Sequence, residues 1–520
     1  MSTITAEVKK LNYSSSNGNV IIRGYLTIHA GVSKKCRVKN VVIASKVFPE
    51  QFCYPVICSE SGGRFRVEIP FTEVRKWYPN NQFLICVEAD DKEEIVPVKT
   101  PRRTNPMKRN IINCGNDETV CHFKETLKYL WIQVRQRNVT DSMFERFKIA
   151  LAFGLSRITR SKKTILLFEK FCNSYEESAS VVFEKLIDSG YTNARFILSR
   201  EFGNREVIDS KYEKYIIDRF SLKHYYAIFT TKSVFSSEAI GHLLEKRCAS
   251  RLFNRQVKRG FHYVFLQHGV MYMVSLGSEQ RSFYQKSKSR KKQRVVVSSE
   301  LEARHFTDNT DYTDKDIYVT GLAKFDRSVL NDDADKITII PTWRPWENVK
   351  AQNDEKSSTY YRMLRNMIEA VPEELRDKLI VMPHPRMSRQ SSGDKEDLVW
   401  KYHVPGIRYE DVLRQTKLLI TDYSSISYDA FYRGSNVIFY WGEKDECMKY
   451  YGENSRLMLT EELAFGDVCM NYEQLTEAIG HRYKKEQSEG FINRYRQIVA
   501  FHDGKNTERI LNKAKKEGLI

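Results

Sequence analysis

The sequence has no long apolar run. None of its 520 residues falls in a continuous hydrophobic stretch long enough to span a bilayer, and its first residues, MSTITAEVKKLNYSSS, lack an apolar signal core. A cytoplasmic location is therefore expected. The ten cysteines are scattered from Cys36 to Cys469 with no CxxC pair, and Cys53 and Cys58 have no second pair at zinc-site spacing. That pattern disfavours structural zinc and fits reduced, buried thiols in a reducing compartment. There is no Gly-x4-Gly-Lys-Ser/Thr phosphate loop and no Gly-x-Ser-x-Gly elbow, which disfavours a P-loop NTPase and a serine hydrolase. The acidic pair Asp333-Ala-Asp335 sits in a polar, linker-like stretch, a poor setting for a metal clamp. No metal and no cofactor are expected. Internal repeats and low-complexity tracts are also missing.

What is present is globular: 41% hydrophobic and 29% charged residues, in a chain too long for one ordinary core. Lys and Arg number 84 against 66 Asp and Glu, a net charge of +18. Such a surplus points to anionic partners, or to a solvated basic surface. Residues 1–100 carry short β-prone runs, such as Val20–Ile28, Asn40–Ala44, Arg64–Ile69 and Gln82–Glu88. Turn clusters at Ser14–Gly18 and Ser59–Gly63 separate them, and the spacing predicts a small β-sandwich as an accessory domain. Thr100–Pro106 reads as a linker. The segment 101–162 is read as linker plus basic amphipathic helices over 120–162. Phe144–Arg157 interleaves aromatic and aliphatic residues with Lys and Arg, as in a helix lying on an anionic membrane or one packed on its own domain.

From residue 163 strands and helices alternate. Strands are predicted at Thr164–Phe168, Ala194–Leu198, Tyr263–Gln267, Arg294–Val297, Ile317–Thr320, Ile337–Ile340, Leu379–Met382, Leu418–Thr421 and Asn436–Tyr440, with a helix at Ser178–Ile187. This rhythm predicts an α/β fold of two doubly wound lobes with parallel sheets, 163–330 and 331–471, followed by charged helices over 472–520.

In open parallel sheets ligands bind beyond the carboxyl ends of the strands. His268-Gly269 follows one predicted strand; a His there suits general base work, and Gly permits close approach. Pro341-Thr-Trp-Arg344 follows another, with a guanidinium fork suited to phosphate. His384 stands between two prolines, with Arg386 next to it, placed to contact a diphosphate. The sharpest signal is Thr421-Asp-Tyr-Ser-Ser425, which opens a helix that Gly434 stops. Ser424 and Ser425 fall at that helix's N-terminus, where free N–H groups favour a phosphate, and Asp429 lies one turn in. The structural alternative for Asp422 or Ser424 is a helix cap.

Gln267-His-Gly269, Gly321-Leu-Ala-Lys-Phe-Asp326, Pro341-Thr-Trp-Arg344, His384-Pro385 and Leu419–Asp429 occur in this order. Together they resemble the CDP-glycerol:poly(glycerophosphate) glycerophosphotransferase family, which includes teichoic acid polymerases and primases, over roughly residues 163–460. The resemblance implies a GT-B architecture and membrane-associated enzymes acting on lipid-linked acceptors. It implies a base at His268, a second catalytic or phosphate-contacting His at His384, donor-phosphate serines at Ser424 and Ser425, and an acid near the donor glycerol at Asp429. Arg344 matches the Arg of the family's Pro-Thr-Trp-Arg element. Gly269, Lys324, Asp326, Thr342, Arg386, Thr421 and Asp422 complete the expected substrate contacts. Two elements depart from the family pattern. Gln267-His-Gly-Val-Met271 stands where many members have Trp-His-Gly-Thr-Pro, and Lys324 replaces an Arg, keeping the charge without the fork.

The implied reaction moves glycerol phosphate from CDP-glycerol to a lipid-linked polyol-phosphate or polysaccharide acceptor, in teichoic acid or capsule-like polymer synthesis, and releases CMP. The chain would work as a peripheral protein on the inner face of the membrane. A CDP-ribitol transferase and a GT-B glycosyltransferase using a nucleotide sugar are the nearest rivals. A non-enzymatic basic protein that binds anions or membrane is the third. Nucleic acid is not expected as a partner.

Overall fold

The computed structural model describes residues 5–29, 38–45, 53–59, 62–76, 83–89, 92–97, 111–114, 119–125, 130–159, 163–245, 250–276, 293–344, 355–384, 387, 397–451 and 455–520. The expected linker at 100–106 lies outside them. The chain divides into two compact units, Met1–Arg146 with Cys248–Ser250, and Phe147–Arg247 with Arg251–Ile520.

The first unit is antiparallel β. Its strands are β1 (Thr5–Ser16), β2 (Asn19–His29), β3 (Val38–Ser45), β4 (Cys53–Pro55), β5 (Ile57–Ser59), β6 (Gly62–Pro70), β7 (Phe83–Ala89), β8 (Lys92–Pro97), β9 (Ile111–Asn113), β10 (Thr119–Glu125) and β11 (Leu130–Gln136). They form three sheets, ordered β1-β2-β6-β5, β4-β3-β7-β8 and β11-β10-β9. Asn17 and Gly18 both have positive φ, 49° and 75°, and make the tight two-residue turn of the β1–β2 hairpin. Val8, Leu26, Ile43, Phe65, Phe123 and Ile132 share one core, so the β-rich unit continues past residue 100.

Here one expectation is overturned. The stretch from residue 120 begins with the antiparallel pair β10–β11, and the helix runs only from Met143 to Thr159. The reason is the local period. Cys121 and Phe123 on β10, and Ile132 and Val134 on β11, alternate toward the core, a two-residue repeat that a helix cannot bury.

The second unit holds two parallel sheets. The first is seven-stranded, ordered β14-β13-β12-β15-β16-β17-β18. Its strands are β12 (Thr164–Phe168), β13 (Ala194–Leu198), β14 (Ile216–Asp218), β15 (Thr231–Ser236), β16 (His262–Phe265), β17 (Gln293–Val297) and β18 (Ile317–Val319). The second, ordered β20-β19-β21-β22-β23, comprises β19 (Lys336–Ile339), β20 (Leu379–Val381), β21 (Thr416–Thr421), β22 (Asn436–Tyr440) and β23 (Asp467–Cys469). All neighbours in both sheets pair in parallel. Runs such as Thr164-Ile-Leu-Leu-Phe168 and Asn436-Val-Ile-Phe-Tyr440 are apolar almost throughout because helices cover both faces. This is the α/β, two-sheet fold expected from the alternation.

The C-terminal segment returns to the first sheet. The Ser233 hydroxyl on β15 donates to the Leu519 carbonyl at 2.8 Å, Ala500 N–H donates to the Ser298 carbonyl at 3.0 Å, and Arg294 pairs with Glu517 at 2.9 Å. The chain thus crosses between the sheets twice.

The helix Ile426–Arg433 ends at Gly434, whose φ of 110° sends Ser435 into β22. A Cβ there would meet nothing closer than Leu330 Cδ2 at 3.7 Å, so the demand for Gly is conformational. Gly434→Ala is expected to cost about 1–2 kcal/mol, read as a lower denaturant midpoint at unchanged slope.

Candidate active site

Every polar loop singled out in the second unit lies just past the carboxyl end of a parallel strand. Leu266–Gly269 follows β16, Thr320–Lys324 follows β18, Ile340–Arg344 follows β19, Met382–His384 follows β20, and Asp422–Ser425 follows β21. The structure then separates residues gathered where the His268 loop meets Ser425 from residues that hold the loops together.

The close approach is between Gly269 and Ser425. A Cβ built on Gly269 would stand 2.8 Å from Ser425 Oγ, so only Gly lets the His268 loop meet the start of the helix Ile426–Arg433. Ser425 caps that helix by position but makes no side-chain cap bond. Ser424 Oγ accepts from Ile426 N–H at 3.4 Å, and its carbonyl accepts the Ser427 hydroxyl at 2.9 Å. The Ser425 hydroxyl therefore lies on the Gly269 side of the helix start.

His268 is partly buried. Burial, then the nearby Lys324 ammonium, push its imidazole down to about 4, with the Ser237 backbone opposing. The ring is neutral at pH 7. Its Nδ1 is buried and has no hydrogen-bond partner among the described residues. Lys324 Nζ donates to the His268 carbonyl at 2.5 Å and pairs with Asp429 Oδ1 at 2.5 Å. Burial would depress the Lys324 ammonium, but Asp429 and Glu177 outweigh it and hold the group charged. His268, Gly269, Lys324, Ser425 and Asp429 thus form one cluster, with Ser424 at its edge.

Three further expected contacts are joined to each other instead. Asp422 is fully buried. Its Oδ1 accepts Thr342 N–H at 2.8 Å and Tyr423 N–H at 2.6 Å, and its Oδ2 accepts the Arg344 guanidinium at 2.7 Å. Arg344, 1% exposed, also donates to the Thr342 carbonyl at 2.7 Å and pairs with Glu443 at 3.0 Å. The fork expected to grip a phosphate is already filled by two carboxylates, so Arg344 and Asp422 hold loop ends together. Thr421 does likewise: its buried hydroxyl donates to the Ile340 carbonyl at 2.6 Å. Thr342 leaves a buried Oγ1 without a partner among the described residues.

Asp326 is likewise reassigned. Its Oδ1 accepts Asn506 N–H at 3.0 Å and its Oδ2 accepts Thr507 N–H at 2.7 Å, which caps the helix Asn506–Lys516. His384 stacks on Trp343, ring centres 5.5 Å apart, and its backbone N–H donates to the Tyr360 hydroxyl at 3.1 Å. Arg386 lies outside the described residues.

Sequence reasoning passed over the end of β12. Glu169 follows it directly, and its buried carboxylate accepts Ser174 Oγ at 2.9 Å and the N–H groups of Glu176, Glu177 and Ser180 at 2.9, 3.0 and 2.8 Å. This loop brings Glu177 toward Lys324 and Asp429. Burial, with Glu169 and Asp429 adding to it and Lys324 opposing, lifts the Glu177 carboxyl to about 8. The signal was available: an acid directly after an apolar strand, then two more ahead of a helix.

Two parallel sheets whose carboxyl-end loops meet define a GT-B-like enzyme fold. The sequence model of the CDP-Glycerol:Poly(glycerophosphate) glycerophosphotransferase family matches residues 151–515, and the chain belongs to that family. It is 25% identical over 377 residues to the minor teichoic acid biosynthesis protein GgaB of Bacillus subtilis (strain 168), a match covering 68% of this chain and 40% of GgaB. The chain thus spans about two fifths of that curated relative's length. Among solved structures, the wall teichoic acid polymerase TagF is similar with a TM-score of 0.50 at 17% identity, covering 72% of this chain and 98% of that one. A TagF variant gives the same values. At that identity the likeness speaks for the fold.

Two substitutions separate the holding residues from the site. Arg344→Met leaves Asp422 as an uncompensated buried charge and is expected to cost about 3–5 kcal/mol of stability, read by denaturant unfolding. Asp326→Ala is expected to cost about 1–2 kcal/mol while the donor KM stays within twofold of wild type.

Proposed function

We propose that this chain transfers glycerol phosphate from CDP-glycerol to a hydroxyl on a lipid-linked or polymeric polyol-phosphate acceptor and releases CMP. The observation that carries the reading is the contact of the His268-Gly269 loop with Ser425, which puts a neutral imidazole beside a helix end suited to phosphate. Family membership supports the choice of donor.

In this reading the helix end with Ser424 and Ser425 holds the donor's diphosphate. The acceptor oxygen bonds to the β-phosphorus while the bond from that phosphorus to the bridging oxygen breaks. CMP leaves with the electron pair, and His268 Nε2 or Nδ1 takes the acceptor's proton. Asp429 accepts a donor hydroxyl, and Lys324 pairs with Asp429 and holds it in place. His384, stacked on Trp343, offers its ring to the leaving phosphate. Such chemistry draws on positioning and on charge stabilisation.

The same proposal includes attachment to the inner face of the membrane. Among the described residues no helix is long and apolar enough to cross a bilayer. The helix Met143–Thr159 exposes Phe144, Phe147, Leu151, Leu155 and Ile158, spaced along one face, with Arg146, Lys148 and Arg157 among them. That combination fits an amphipathic helix lying on anionic lipid. Phe147→Glu with Leu151→Glu should abolish co-sedimentation with phosphatidylglycerol vesicles, and binding equal to wild type would remove this part of the proposal.

The primary test is CMP release from CDP-glycerol with a synthetic lipid-linked glycerophosphate acceptor. His268→Ala should lower turnover by about 10²–10⁴-fold and leave the donor KM nearly unchanged. Near-normal turnover would exclude His268 as the base. Release from CDP-ribitol or a nucleotide sugar, but not from CDP-glycerol, would keep the fold and change the donor.

A further inference from the structure

The loop carrying His268 is tied at both ends to one buried carboxylate. Glu302, on the helix Glu300–Asn309, is fully buried. Its Oε1 accepts Met271 N–H at 2.7 Å and Gln267 Nε2 at 3.3 Å, and its Oε2 accepts Ser298 N–H at 2.5 Å. Gln267 Nε2 also donates to the Val296 carbonyl on β17. Between these ties lie His268 and Gly269, the latter against Ser425.

The tie holds a backbone shape that the sequence does not favour. Gln267 has a φ of 58°, in the left-handed region, where a residue with a Cβ is strained. We infer that Glu302 is a positioning residue for His268: ionised, it holds the 267–271 loop in the shape that sets the imidazole against the helix end, and protonated, it releases that loop.

Three donors converge on this carboxylate: two backbone N–H groups and an amide NH₂. Ionised, Glu302 accepts from all three. Protonated, it must donate one O–H, which the nearby buried Ser298 hydroxyl can receive, while the oxygen that carries the proton holds its N–H donors less tightly. Gln267 Oε1 is buried and without a partner among the described residues. It could receive the proton only if the amide turned, which breaks the bond to the Val296 carbonyl. The residue that would have to turn immediately precedes His268. Tyr428 faces Glu302 from the helix Ile426–Arg433, and Tyr272 belongs to the segment following the loop; both hydroxyls are uncharged at neutral pH. His305 packs on the Tyr272 ring from the same helix as Glu302. Burial lifts the Glu302 carboxyl to about 7, against the bonds from Ser298, Met271 and Gln267. The change of state therefore falls at neutral pH, far above the titration of His268 itself at about 4.

The inference rests on His268 being the base, and the test separates the two. CMP release by the full chain is measured from pH 5 to 9 with CDP-glycerol and the lipid-linked glycerophosphate acceptor. In the wild type kcat/KM should fall by about tenfold per pH unit below about 7. Glu302→Gln should lower kcat at pH 8 by about 10²-fold, leave the donor KM within twofold, and abolish the limb near 7. If that limb persists in Glu302→Gln, it belongs to another acid, such as Glu176 or Glu177, and the inference fails. A wild-type profile flat from pH 8 to 5 overturns it without any variant, even if Glu302→Gln does not fold. A flat profile together with an inactive His268→Ala would remove Glu302's role and leave the base in place. An active His268→Ala, or no release from any donor, would remove both.

Discussion

The buried pairing of Asp422 with Arg344 is the constraint on which the second sheet's loops depend. A fully buried carboxylate is tolerated only with partners for its oxygens. Asp422 finds them on the loop after β19, in Thr342 N–H and Arg344, and in its own neighbour Tyr423 N–H. Two adjacent strands are thereby locked at their carboxyl ends, and the turn Tyr423–Ser425 leaves at a fixed angle. The helix end that meets Gly269 inherits its position from that lock. Glu302 does the corresponding work in the first sheet, where one carboxylate gathers Ser298 after β17 and the loop after β16. The site is thus suspended between two buried acids, one per sheet, neither of which needs to touch a substrate.

This explains what the sequence could and could not disclose. Strands buried on both faces are legible because nearly every residue in them is apolar, and β12, β13 and β22 were delimited correctly. β15, Thr231-Lys-Ser-Val-Phe-Ser236, escaped because four of its six residues are polar, although Thr231 and Ser233 are satisfied internally. Short β14 and β23 offered only three residues each. The strand ends were legible as places where polar residues gather. Their division of labour was not. Asp422 and Arg344 are 78 positions apart, and Asp326 and Thr507 are 181 apart. Nothing local distinguishes an Arg that binds phosphate from an Arg already filled by carboxylates. Glu302 was missed for the same reason: an acid in a helix looks solvent-facing until its donors are known.

The exchange of Arg for Lys at position 324 also changes meaning with the structure in hand. A guanidinium presents a planar fork; an ammonium is a compact charge with three donors that can point apart. Lys324 uses this to serve the His268 carbonyl and Asp429 at once, at 2.5 Å each. It is therefore a link between the His268 loop and the helix Ile426–Arg433.

That link sets a condition on the proposed chemistry. Burial, and after it the Lys324 ammonium, keep the imidazole unprotonated, so His268 is available at neutral pH but weak, at about 4. A weak base removes a hydroxyl proton effectively only if the site strengthens it as the reaction proceeds. The bound diphosphate would do this: its negative charges offset Lys324 and favour the imidazolium that forms as the acceptor attacks. Without donor, burial together with Lys324 holds the ring neutral. In the proposed reaction base strength rises when a phosphate is in place, so proton removal and phosphoryl transfer are linked in part through the Lys324 charge. In the family's pattern an Arg would have to do the same from a wider fork. The compact ammonium makes that coupling local to His268 and Asp429, the two residues on either side of the transferred group in the proposed reaction.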